Sequence, residues 1–403
     1  MRNKNNVGSI IGFLIAFGVI FNTMNGTLSI TSFLISLSFI FVLLMFVKQA
    51  SSGEIKKQYL RLISFSLVLV FLNVTLSGVG GFGYYKKSIM YMATITWMIC
   101  SVNQTLSKRT IWVILLINIA INALYLLFYR QGFSIYEGEV LLTLNFTNPN
   151  QTGLFILNSI LYVGIIIAAG MDLIEKKIYY FLMLAILVPL FFVTTKLLIL
   201  TGCRSSFMSL ALFILLVMLD YVSKGNFKIK KWMSLCISVA PFIFVFIYLK
   251  YASNLSIDVS MGIDNAGKSS DTRISVWKPI IDNFWHYFII GDYYGISNGT
   301  GMSQMHNTHL DIYASYGIVP LILYIRIVYM VICQSVQNSC CRFQRVSLYA
   351  FIACMVSCVF EASLVAGSAG MFLLTVGFLA FANSPTHKVE KAITYKNGLA
   401  LMR

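Results

Sequence analysis

IYYFLMLAILVPLFFVTTKLLILTGCRSSFMSLALFILLVML, residues 178–219, carries only two charged side chains, Lys196 and Arg204. A helix needs roughly 20 apolar residues to cross a hydrocarbon core about 30 Å thick, so this run is long enough to cross twice. It reads as a helical hairpin, with spans at 178–195 and 198–219 joined by a short turn around Lys196. Working outward, the same pattern recurs. Upstream spans fall near 7–24, 28–47, 60–77, 88–105, 111–128 and 153–171, and downstream ones near 233–250, 309–333, 346–366 and 369–383. The expected fold is therefore an all-α integral membrane bundle of about twelve transmembrane helices, one transmembrane domain over residues 1–403. The composition excludes a water-soluble domain: 58% of residues are hydrophobic, 11% are charged and the mean hydropathy is +0.80. The first span is expected to stay in the membrane and not to be cleaved, since further spans follow without a small-residue cleavage site.

The net charge of +16 does not point to nucleic acid, because the basic residues fall in short connectors and not in a stripe. Lys48, Lys56, Lys57 and Arg61, Lys108 and Arg109, Lys176 and Lys177, Lys224 to Lys231, and Arg342 and Arg345 all lie on one alternate set of connectors. With Arg2, Lys4 and the tail over 384–403, about two-thirds of all Lys and Arg share that side, which the positive-inside rule makes cytoplasmic. Both termini are then inside. The 129–152 and 251–309 loops face out, and so does the start of the span bearing Arg204. The eight cysteines sit mostly in or beside spans, and Cys340-Cys341 lies in a basic connector, so reduced thiols are expected.

The 251–309 loop is the one long polar interruption in this part of the chain, and it is expected to hold short helices. Within it, Ile274, Trp277, Ile281, Phe284, Trp285 and Phe288 recur at helical spacing. They read as an amphipathic helix at the outer interface with Trp at head-group depth, kinked or started late by Pro279. Arg273 at its front is either a solvated charge or a ligand for an anion. Arg204, among Thr201, Gly202, Ser205 and Ser206, is either a snorkelling anchor or a guanidinium lining a crevice, where its planar fork suits phosphate oxygens. His306 and His309 are three apart and would share a helix face with Asp311 nearby, a weak metal pattern; one neutral imidazole acting as general base is the other reading. Glu361, in the outer part of its span, is expected to pair with Arg204 or His306. Asn148-Pro149-Asn150 is a turn first and a substrate-facing loop second.

Taken in order, four groups of residues resemble the O-antigen ligase and polymerase superfamily, the Wzy-type repeat-unit polymerases together with the ligases. They are Thr201-Gly202-Cys203-Arg204-Ser205; Arg273 with Trp277; Ile290-Gly291-Asp292-Tyr293-Tyr294-Gly295; and His306-Asn307 with Leu310 and Gly317. The likeness is concentrated in residues 145–320 and includes Asn148-Pro149-Asn150 before a span. It departs after Gly291, where Asp292 and two tyrosines replace a second glycine. The resemblance implies an inverting, metal-independent membrane glycosyltransferase of the GT-C type that needs no cofactor. Donor and acceptor would be undecaprenyl-pyrophosphate-linked oligosaccharides at the outer face of a bacterial cytoplasmic membrane, joined into O-antigen or capsule. Arg204 and Arg273 would hold the donor pyrophosphate and His306 would activate the acceptor hydroxyl, with Asn150, Asn307, His309 and Glu361 in support. Partners would be the lipid-linked oligosaccharide, membrane lipids and a chain-length regulator protein, with no nucleic acid. A ligase moving finished glycan to lipid A–core or another acceptor is the alternative in the same superfamily. A flippase or transporter is the alternative of another class, disfavoured because the spans are almost free of charge.

Overall fold

The computed structural model describes residues 43–53, 55, 57–76, 82–102, 106–136, 138–144, 149–174, 176–252, 266–292, 305–339, 341–360, 376–377 and 379–382. The chain is an all-α, multi-pass membrane protein. Its helices are α1 (Lys57–Leu76), α2 (Phe82–Val102), α3 (Lys108–Phe128), α4 (Pro149–Ala169), α5 (Lys177–Leu200), α6 (Arg204–Val222) and α7 (Lys231–Ala252). They continue with α8 (Ala266–Asp282), α9 (Phe284–Tyr287), α10 (Thr308–Tyr316), α11 (Ile318–Asn338) and α12 (Arg342–Phe360). Six segments among the described residues are long and apolar enough to cross a membrane: α4 with the 3-10 turn that follows it, α5, α6, α7, α11 and α12. Segments 7–24 and 369–383, most of 28–47, the far end of 346–366 and the tail lie largely or wholly outside the described residues.

Hydrogen bonds fix the relative direction of these helices. At one end of the bundle, the Asp172 carboxylate just past α4 accepts from the Phe343 backbone N–H at 2.8 Å, at the start of α12. At the same end Asp220, late in α6, accepts from Arg345 Nε at 2.9 Å and from the Tyr349 hydroxyl at 3.1 Å. At the opposite end Cys203 Sγ lies 3.7 Å from the Asn150 carbonyl, which places the start of α6 beside the start of α4. So α4, α6 and α11 run one way, and α5, α7 and α12 the other. The Asp220 contact joins two helices through charge that is almost wholly removed from solvent: Asp220 is 2% exposed. Replacing Asp220 with asparagine removes the carboxylate charge that Arg345 bonds and is expected to cost about 3 kcal/mol. The check is the unfolding midpoint of the purified protein in detergent.

Three details differ from the sequence reading. The first turn of the hairpin is not at Lys196: α5 continues through Lys196 to Leu200, and Thr201–Cys203 makes the turn. An apolar window cannot tell a helix's last turn from a loop when both are apolar.

The span at 309–333 is two helices, broken at Gly317 (φ +88°). His309 and Tyr324 are fifteen residues apart, about 22 Å along a straight helix. Their rings nevertheless meet edge to face at 5.2 Å. Hence α10 folds back along the first turns of α11.

Trp277 is not at an interface. It is fully buried, with its ring edge on Tyr248 of α7 at 5.5 Å, and α8 runs through Pro279 to Asp282. Trp285, on the same stripe, is 78% exposed. The 129–152 connector also contains a small antiparallel hairpin, β1 (Phe133–Tyr136) with β2 (Glu139–Leu142), turned at Gly138. Its signal was the short alternation Phe133-Ser134-Ile135-Tyr136 before a glycine.

Candidate active site

The polypeptide before α10 is held on every side. The Met305 N–H donates to Asp311 Oδ1 at 3.2 Å, and the Met305 carbonyl accepts from Trp277 Nε1 at 2.6 Å. Asn307 caps α10, its Oδ1 accepting from the Leu310 N–H at 2.9 Å. Its amide donates to the Pro241 carbonyl of α7 at 2.8 Å and to the Val359 carbonyl of α12 at 2.9 Å. Every residue from Met305 to Gly317 is buried except His306. His306 itself takes φ +48°, a left-handed conformation uncommon outside glycine and asparagine. Backbone of that kind persists where the surroundings over-determine it, and it gathers at functional sites.

Arg273 lies on α8 one turn before Trp277, and its guanidinium stands 5.5 Å over the Phe360 ring, a cation–π contact. The chain thus closes a ring of contacts: Arg273, Trp277, Met305, His306, Asn307, Val359, Phe360 and back to Arg273. That ring of contacts links Arg273 to the backbone on either side of His306.

Arg204 opens α6 and is exposed, where the sequence placed it a few residues into a span. It shares its end of the bundle with Asn150, the second residue of α4, and with Phe360, since α6 and α12 pack antiparallel along their length. Arg204, Arg273, His306 and Asn150 are therefore all at the end remote from Asp220.

His309 has a different position. It is fully buried, its Nε2 2.8 Å from the Ser238 carbonyl in the turn before Pro241. It does not share a helix face with His306, which lies outside α10. Asn307 is a clamp, with both ends of its amide engaged. Glu361 and Asn148 lie outside the described residues. His286 pairs with Asp292 at 3.2 Å, both side chains open to solvent.

The turn at Gly291 (φ +75°) sits against the α10–α11 break. The Asp292 N–H donates to the Ala314 carbonyl at 2.8 Å and the Ile318 N–H to the Phe288 carbonyl at 2.9 Å. A Cβ at Gly291 would lie 2.6 Å from the Tyr316 nitrogen. Backbone packs directly on backbone here, which explains two separated glycines in one pattern.

Residues 189–325 match the O-antigen ligase family. The matched segment begins inside α5 and ends in α11, about a third of the chain. It includes Arg204, Arg273, both glycine turns and His306. No curated protein matches the chain. The match supports a membrane protein of O-antigen ligase or polymerase type, a glycosyltransferase-like enzyme of polysaccharide biosynthesis.

Sequence reasoning had missed the grip on Met305 and the Phe360 platform. Asn307 followed by Thr308-His309-Leu310-Asp311 is a helix-start signature that pointed to the cap. Nothing local in the sequence pointed to Phe360.

Proposed function

We propose that the protein is a polymerase that joins lipid-pyrophosphate-linked oligosaccharide repeat units, undecaprenyl pyrophosphate being the carrier. The carrying observation is the closed ring of contacts that links Arg273 to His306, the one partly exposed residue of the buried 305–317 segment, with Arg204 at the same end. The basic connectors Lys176–Lys177, Lys224–Lys231 and Arg342–Arg345 gather at the opposite end, which supports a cytoplasmic placement for that end and an outward-facing site.

The chemistry follows from the donor. An acceptor hydroxyl oxygen attacks the anomeric carbon as the bond from that carbon to the pyrophosphate oxygen breaks. The hydroxyl proton passes to His306, and the lipid pyrophosphate leaves with the bonding pair. Attack from the face opposite the leaving group inverts the centre. His306 supplies the base, and the two guanidiniums stabilise charge as it grows on the leaving group. The driving force lies in the bond between the anomeric carbon and the pyrophosphate oxygen, so no nucleotide is consumed.

Arg204 is assigned to the pyrophosphate and not to lipid anchoring. Lysine keeps the charge but cannot offer the two-pronged donor set, so Arg204→Lys is expected to slow turnover about tenfold or more. An unchanged rate with lipid-linked repeats would return Arg204 to a snorkelling role.

The family description favours one second reading, a ligase passing finished glycan to another acceptor. Deletion separates the two: loss of a polymerase leaves single repeats on the cell surface, whereas loss of a ligase strands polymer on its carrier.

A further inference from the structure

We infer that Trp277 is a positioning residue that sets the spacing between Arg273 and His306, an assignment that rests on the glycosyl-transfer reading above. Three observations carry it. The indole N–H donates to the Met305 carbonyl at 2.6 Å, and that carbonyl belongs to the peptide unit whose nitrogen is His306's own. Trp277 is 0% exposed and wedged against Tyr248, so its ring has no freedom to follow a shifted loop. Arg273 is four residues before it on the same helix, hence on the same face about 6 Å along the axis.

The indole therefore transmits the position of the anion-binding helix to the backbone of the base. The Asn307–Val359 and Phe360–Arg273 contacts close the ring from the far side, through α12. Losing the indole bond would open one side of the ring while leaving each functional group present. A misplacement of about 1 Å can cost on the order of 100-fold in rate, because the reacting atoms no longer meet in line. Such a loss falls on the chemical step and spares binding, since Arg273 would still meet the pyrophosphate.

The test is Trp277→Phe in the full chain, reconstituted in lipid nanodiscs beside wild type, Arg273→Ala and His306→Asn. Phenylalanine keeps most of the ring packing against Tyr248 and removes the N–H. Binding is read with undecaprenyl pyrophosphate, and turnover with lipid-linked repeat units isolated from cells that lack the protein. The expected result is kcat lowered at least tenfold, with carrier affinity within about twofold of wild type and an unchanged unfolding midpoint. Arg273→Ala, by contrast, loses affinity. Wild-type turnover by Trp277→Phe would overturn the inference. So would parallel losses of turnover, affinity and unfolding midpoint, which mark a merely structural tryptophan. Full activity in His306→Asn would instead remove the transfer mechanism itself, so the two failures are distinguishable.

Discussion

His306→Asn is expected to bind the lipid-linked donor as well as wild type and to turn it over about 10²–10⁴-fold more slowly, the usual contribution of a general base. Asparagine is the informative replacement because it tolerates the left-handed backbone that His306 adopts at φ +48°, whereas alanine adds strain of its own. The contrast with neighbouring positions sharpens the reading. Asn307 and His309 also carry polar side chains, and these hold the Pro241, Val359 and Ser238 carbonyls inside the protein. Loss of either is expected to lower stability and activity together. Loss of the His306 imidazole lowers activity alone. Turnover and an unfolding midpoint measured on the same preparation check this. A His306→Asn protein that retained wild-type turnover would remove the base from the mechanism.

Gly317→Ala carries the second large effect, and it is structural. Gly317 combines φ +88° with ψ −176°, a region occupied almost exclusively by glycine. An added Cβ would also run into the Ile289 carbonyl group, 2.8 Å from its carbon. Neither the α10–α11 break nor the Phe288–Ile289 backbone can yield without losing the Ile318-to-Phe288 hydrogen bond. The expected cost is about 3 kcal/mol or more, visible as a large drop in folded yield and in the unfolding midpoint. A surface alanine such as Arg326→Ala, on the exposed face of α11, serves as the mild comparison.

These two positions show what the sequence could and could not express. Span placement was legible because hydrophobic length alone decides whether a segment can cross a bilayer, and α4 to α7 lie within a few residues of the expected ranges. Hydropathy is blind to a break inside an apolar stretch, so the fold-back at Gly317 read as one continuous span. The same blindness put the hairpin turn at Lys196, where charge stood out, instead of at Thr201–Cys203.

Arg204, Arg273 and His306 stand out in the sequence as candidates because charge and imidazole are rare in so apolar a chain. Their supports do not. Trp277 looked like an interfacial anchor because periodicity reports which residues share a helix face and not what covers that face. Val359 and Phe360 act through a carbonyl and a ring delivered from more than fifty residues away, which no local pattern records.

The central claim, that a glycosidic bond is made and a pyrophosphate carrier released at the Arg204–Arg273–His306 end, has one direct measurement. Purified protein in nanodiscs is given lipid-linked repeat units, and both glycan length and free undecaprenyl pyrophosphate are followed. The account predicts a growing ladder, one carrier freed per bond formed, and inversion at each new linkage. Repeat units that stay single on their carriers while wild-type protein binds them would contradict it.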